Sequence, residues 1–328
     1  FLADGEHKSY VYQRVNDYVF KNPDVIMNNI KIVSDYIANK YGENSEEAGM
    51  ILSFEKAKDG NNFVKNSAGL WRVSKYIVGD SYDTVSDSRV LYNTGFAFGR
   101  FQNILADLDA NLLTETIPDF HNTCRRYESL EAAIAADPCG KVAEVSEEIA
   151  YLRSVRELAC TLTDMGEKGL LPKRVTHNDT KINNVLFEID GKSALVVIDL
   201  DTVMSGLVGH DFGDAIRFAA NFVEEDCPDC EKVGVDLSVF RAFAEGFVPP
   251  IASSLTDLEI DTLALGAFVI TVELAVRFLD DYITGDQYFK TEYHKHNLVR
   301  ARCQLALAAD MYRRLDEMQQ IVAQIADK

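Results

Sequence analysis

Positive charge is scarce. The chain has 33 lysines and arginines against 52 aspartates and glutamates, a formal net charge of −19. No global field draws in nucleic acid or anionic lipid, so neither nucleic acid nor membrane is expected as a partner. Any polyphosphate bound here has to rely on a divalent cation and a few local cations. A disulfide framework is missing as well: the cysteines at 124, 139, 160, 227, 230 and 303 follow no such spacing and suit a reducing compartment. Cys227-Pro228-Asp229-Cys230 is a lone C-x-x-C without a second pair or nearby histidine ligands. It reads as part of an acidic loop over residues 224–231 rather than as a zinc or redox site. No long uncharged apolar run appears. The longest, residues 263–279, contains Glu273 and Arg277 and reads as a buried helix. Neither a secretory signal nor an internal repeat is visible, and the expected location is cytoplasmic.

With 328 residues, 47% of them hydrophobic, the chain can bury a large core and form one large domain or two lobes. Residues 9–15 alternate apolar and polar as a strand does, with a hairpin turn expected at Asp4-Gly5. Asn22-Pro23 opens a helix carrying Val25, Ile26, Ile30, Val33 and Ile37 at helical spacing and ending near Tyr41-Gly42. Residues 50–54, 63–65 and 70–78 read as further strands, the last ending at Gly79-Asp80. From about Asp87 the pattern turns helical, over residues 90–108, 129–136, 145–168, 238–246, 258–283 and 296–325. One β segment, residues 174–200, interrupts it, with a hairpin turn at Asp190-Gly191. The expected fold is therefore α+β and bilobal: a small β-rich N-lobe over residues 1–79, truncated at its start, and a large, mainly helical C-lobe over residues 80–328.

The β segment carries the chemistry. His177-Asn178-Asp179-Thr180-Lys181-Ile182-Asn183-Asn184 has the spacing H-x-D-x-K-x-x-N, the arrangement of a phosphoryl-transfer loop. In that arrangement Asp179 orients and deprotonates an attacking hydroxyl, and Asn184, five residues on, holds Mg²⁺. Lys181 sits where a lysine neutralises the migrating phosphoryl group. His177 is expected to brace the loop. The apolar run 194–198 delivers Asp199-Leu200-Asp201. Two carboxylates on one strand face would repel without a cation between them, which suits Mg²⁺. Asp199 is the primary ligand; Asp201 is a second ligand, an acceptor contact or a turn cap. Asp211 and Asp214 are expected to cap the next helix and brace the loop. Glu273 and Arg277, at i and i+4 in an apolar helix, read as a buried ion pair.

These stretches resemble the aminoglycoside phosphotransferase and choline kinase superfamily, and more closely the N-acetylhexosamine 1-kinases. The likeness spans nearly the whole chain, through residues 10–16, 71–77, 96–123, 174–187, 197–218, 240–247 and 277–302. It implies a protein-kinase-like fold, ATP with Mg²⁺, and transfer of the γ-phosphate to the anomeric hydroxyl of GlcNAc or GalNAc. It gives Asp179 the base role, Asn184 and Asp199 the metal, and Lys181 the phosphate and substrate. It raises Arg277 from ion-pair partner to sugar-binding candidate and has Tyr76 and Ile77 present backbone groups to adenine. Two features depart from many kinases. The glycine-rich loop would lie before Phe1, and the strand position of the phosphate-binding lysine reads Gln13-Arg14. A kinase for another small alcohol is the alternative, and a nucleotide-binding pseudokinase the non-catalytic one.

Overall fold

The computed structural model describes residues 2–5, 8–16, 20–83, 87–189 and 193–327. The chain divides into two compact units, one made of Phe1–Pro118, Lys173–Gly206 and Glu245–Ser254, the other of Asp119–Pro172, Leu207–Ala244 and Leu255–Lys328.

In the first unit, strands β1 (Leu2–Gly5) and β2 (Lys8–Arg14) precede helix α1 (Pro23–Tyr41). The turn expected at Asp4-Gly5 is not there, because both are strand residues paired with Ser9 and Lys8. Proline is tolerated at the first position of α1, where no intrahelical donor is needed. Ile26, Ile30, Val33 and Ile37 form its buried stripe, and Gly42, at φ 101°, ends it. A short helix α2 (Glu46–Gly49), capped by Ser45, was not legible in the pattern. Strands β3 (Val64–Asn66) and β4 (Gly69–Lys75) complete an antiparallel sheet in the order β1-β2-β4-β3. β4 stops at Lys75 rather than continuing to residue 78. The strand expected at residues 50–54 shrinks to one bridge between Ile51 and Val197. Alternation along β4 turns Leu70, Arg72 and Ser74 inward, so one guanidinium, 5% exposed, is carried into the core.

Helix α3 (Ser88–Ile104) follows, capped by Asp87. Two antiparallel pairs then build the polar loop: β5 (Arg174–Thr176) with β8 (Met204–Gly206), and β6 (Val185–Phe187) with β7 (Ala194–Val197). The turn expected at Asp190-Gly191 lies outside the described residues.

The second unit holds α4 (Thr123–Ala136), α5 (Ser146–Glu167), α6 (Val208–Ala219), most of α7 (Leu237–Ile251), α8 (Asp257–Thr284), α9 (His296–Arg313) and α10 (Leu315–Ala326). The pattern over 296–325 is thus two helices, broken at Arg314, where φ −106° and ψ 9° leave the helical region. α8 is long and apolar enough to cross a membrane, but 94% of its apolar window is buried inside the protein, as a core helix should be. A capping box between Thr256 and Glu259 starts it, and Gly285, at φ 103°, ends it.

Glycines let α6 and α8 meet backbone to backbone. A Cβ on Gly213 would lie 2.3 Å from the Gly266 carbonyl oxygen, and one on Gly266 would lie 2.1 Å from that of Gly209. Gly213→Ala is therefore expected to destabilise by about 1–3 kcal/mol through overpacking. Gly49→Ala, where a Cβ meets open space, should be neutral. Urea unfolding of the two variants checks the contrast.

Candidate active site

Three short pieces of the first unit come together around one imidazole. The Asp179 N–H donates to His177 Nδ1 (3.3 Å), so His177 Nε2 carries the proton it shares with the Ile198 carbonyl (2.9 Å). The ring packs edge-on against Phe98 and Phe101, with centroids 5.4 and 5.8 Å away, and is fully buried. His177 therefore braces the loop, as expected. Asn178 takes the left-handed conformation (φ 64°), and its amide donates to the carbonyls of Thr176 and Thr202. The Thr202 hydroxyl returns a hydrogen bond of 2.7 Å to the His177 carbonyl. Gly206 is required beside them, because a Cβ there would lie 2.2 Å from Thr176 Oγ1.

This scaffold presents Asp179. Asn184 Nδ2 donates to its carboxylate Oδ2 (3.1 Å) and its backbone carbonyl (2.8 Å), while Lys181 Nζ lies 2.9 Å from Oδ1. Partial burial opposes ionisation, but the charge and hydrogen bond of Lys181 overcome it. The carboxyl sits below its ordinary range and is ionised at neutral pH. Asn183 faces away toward Asp83 (3.3 Å), which separates the two adjacent asparagines.

Asp199 and Asp201 do not share a strand face. β7 stops at Val197, Asp199 turns left-handed (φ 56°, ψ 60°), and residues Leu200–Thr202 wind into a 3-10 turn. Asp201 instead forms an ion pair with Arg72 Nη1. The Asp199 carboxylate receives no hydrogen bond from the described residues. Protein packed around it, and then the charge of Asp201, push its carboxyl above the ordinary range. The Ile198 N–H donates to the Asn184 carbonyl (2.9 Å), tying the metal-ligand candidates Asn184 and Asp199 into neighbouring backbone. Among the described residues no group of three or more His, Cys, Asp or Glu gathers as a metal site. Yet Asn184 Oδ1 and the Asp199 carboxylate are oxygen donors with no hydrogen bond from those residues, in a region of excess negative charge. That fits Mg²⁺, which needs few protein ligands when phosphate and water supply the rest.

Tyr76 and Ile77 follow β4. The Tyr76 N–H already donates to the Ser9 carbonyl (2.8 Å), which leaves the Tyr76 carbonyl and the Ile77 N–H to offer. Arg72 escaped sequence reasoning, though its parity with Leu70 and Ser74 on an alternating strand was a usable signal.

The second unit corrects two expectations. Asp211 and Asp214 do not cap α6. They lie in its first and second turns, and Asp214 accepts from Arg217 Nη2 at 3.1 Å. Glu273 does not pair with Arg277; it accepts from Thr123 Oγ1 (2.8 Å) and contacts His121 Nδ1 (2.9 Å). Burial opposes its charge, but His121 holds its carboxyl down to about 2. Arg277 lies against the rings of Phe120, Tyr288 and Phe289, with centroids 5.4–5.8 Å away. Around the C-x-x-C, Cys227 and Cys230 form no disulfide.

The model of the phosphotransferase enzyme family matches residues 47–232, more than half of the chain. Among solved structures, an aminoglycoside phosphotransferase from Alicyclobacillus acidocaldarius subsp. acidocaldarius DSM 446 superposes with a TM-score of 0.62 at 11% identity, covering 98% of this chain and 89% of that one. A microcompartment-associated aminopropanol kinase gives 0.59 at 14% identity, covering 97% and 89%. The AMP-bound complex of a spectinomycin phosphotransferase gives 0.51 at 16%, covering 92% and 89%. At these identities the likeness is one of fold, and it agrees with the kinase-like α+β architecture expected from the sequence.

His210, near His121 and Glu273, is pushed down to about 3, first by burial and then by the charge of His121. Below its ordinary 6.5, the unfolded chain takes up a proton that the folded chain refuses. Stability should therefore fall by about 1.4 kcal/mol per pH unit from this group as pH drops from 6.5 toward 3. Glu273 loses its own contribution only below the ordinary carboxylate range. His210→Phe should flatten the slope between pH 6.5 and 5, read by urea unfolding at fixed pH values.

Proposed function

This chain belongs to the phosphotransferase enzyme family, enzymes that move a phosphoryl group to an alcohol acceptor, and from that premise we propose an ATP-dependent kinase of a small molecule. Its acceptor is the anomeric hydroxyl of an N-acetylhexosamine, GlcNAc or GalNAc. The observation that carries the reading is Asp179, ionised and held between Lys181 and Asn184 beside the unclaimed oxygens of Asn184 and Asp199. The nucleotide bound to the spectinomycin phosphotransferase supports a nucleotide donor. Under this reading residues 1–79 form the nucleotide lobe, and residues 80–328 carry the loop and the acceptor pocket.

Asp179 fixes the acceptor hydroxyl and receives its proton as the oxygen–phosphorus bond forms and the bond from γ-phosphorus to the β-phosphate oxygen breaks, releasing ADP. A carboxylate of lowered pKa is a weak base. An anomeric hydroxyl suits it, being more acidic than an ordinary alcohol, so positioning does most of the work. Asn184 and Asp199 would hold Mg²⁺, which would supply charge neutralisation at the phosphates; Asp201 is engaged by its ion pair with Arg72. Lys181 steadies the transferred group. The Tyr76 carbonyl and the Ile77 N–H pair with adenine. Arg277, a partly buried residue whose guanidinium makes ring contacts and no close ion pair among the described residues, is the sugar-binding candidate.

The aminopropanol kinase fold relative supports a second reading, an amino-alcohol acceptor. ATP turnover across free sugars, amino alcohols and aminoglycosides, with the phosphate located by NMR, separates them. Product at C1 of an N-acetylhexosamine is expected; phosphorylation only at another hydroxyl or of an amino alcohol overturns the sugar assignment. Asp179→Asn should lower kcat by about 10²–10⁴ while nucleotide binding persists. Near-normal turnover in that variant would remove Asp179 from the role. Asp199→Asn should raise the Mg²⁺ concentration needed for half-maximal rate, read by titrating the metal at saturating ATP.

A further inference from the structure

We propose that Arg72 is the phosphate-facing cation of this protein, supplied from β4 in place of the lysine that many kinases carry on the neighbouring strand. The inference rests on the nucleotide-dependent reading above. Gln13 on β2 and Arg72 on β4 are direct cross-strand partners. Cross-strand partners point to the same face of a sheet, and here the two side chains touch: Arg72 Nε donates to Gln13 Oε1 at 3.2 Å. The guanidinium thus lies beside the side chain of Gln13, where a strand lysine would extend. The charge has moved by one strand.

The rest of the environment fixes that guanidinium. Nη1 is ion-paired with Asp201, two residues beyond the metal-ligand candidate Asp199, and the guanidinium carbon lies 4.6 Å from the centroid of the Phe54 ring. Nε and Nη1 are therefore committed, whereas Nη2 donates to none of the described residues. A buried guanidinium with one donor edge left over, paired to the turn that carries Asp199, suits a non-bridging oxygen of a diphosphate. Glutamine keeps the arginine in plane and adds no charge of its own. Asp201 then orients the cation rather than ligating the metal.

The test is calorimetric binding of ADP, AMP and adenosine, without metal and with Mg²⁺, to the whole chain. Arg72→Met should weaken ADP about 10- to 100-fold, the worth of a charge-assisted hydrogen bond, and leave adenosine unchanged. Because the variant strands Asp201, the pair Arg72→Met with Asp201→Asn is measured beside it, with thermal melting to confirm folding. Gln13→Lys in that double variant returns a cation to β2 and should recover part of the ADP affinity. Equal loss of adenosine and ADP assigns Arg72 a purely structural role and overturns the proposal, as does unchanged ADP binding in the folded double variant. Failure of the unaltered protein to bind ADP or adenosine at all would overturn the nucleotide reading on which the proposal stands.

Discussion

One imidazole, proton-bearing at Nε2, joins the two halves of the site. His177 gives that proton to the Ile198 carbonyl and takes the Asp179 N–H at Nδ1, so the loop bearing Asp179 and the strand leading to Asp199 cannot move independently. Burial makes this bond matter: the ring packs against Phe98 and Phe101 and is closed to bulk solvent, and an unsatisfied imidazole there costs about 1–3 kcal/mol. Asn178 and Thr202 close the same ring of contacts from the other side, each satisfying a backbone carbonyl of the opposing segment. The site is thus held by backbone geometry, with few long flexible side chains, which is what in-line chemistry demands of its positioning groups.

Three carboxylates crowd into that frame, and each has a different answer to its charge. Asp179 has Lys181 and the Asn184 amide and stays ionised. Asp201 has Arg72. Asp199 has neither, and the pressure on its carboxyl to take up a proton records that gap. A structure that solves two of three like charges internally leaves the third as the place where an external cation brings the largest gain. The overall charge of −19 makes the same point at larger scale. An anionic ligand would not be drawn in by such a surface; it would have to be met by a few placed cations.

Sequence spacing located most of this, for physical reasons. The order His177, Asp179, Lys181, Asn184 is local, and a tight loop converts local order directly into proximity. Helices α1, α3, α5 and α8 were legible because each buries an unbroken apolar stripe. The strand expected at residues 50–54 did not form: its apolar residues serve one bridge to Val197 and packing, which composition cannot tell from a ladder. Asp199 and Asp201 misled for a related reason. Period-two alternation holds only while the strand lasts, and β7 ends two residues before Asp199, where the backbone turns left-handed.

Glu273 and Arg277 mark the limit of spacing as an argument. At i and i+4 on an exposed helix the two would meet, for a few tenths of a kcal/mol. α8 is buried, and there the competition is set by what other elements deliver. α4 and the segment before it bring Thr123 and His121 to Glu273, two partners with good geometry that a flexible arginine does not displace. Freed from the carboxylate, Arg277 settles among Phe120, Tyr288 and Phe289, where the ring faces stabilise its charge without consuming its N–H donors. An arginine stacked this way keeps its planar fork available for hydroxyl or carbonyl oxygens. The tertiary pairing of Glu273 with His121, and not the sequence of α8, is therefore what makes a ligand-binding role open to Arg277.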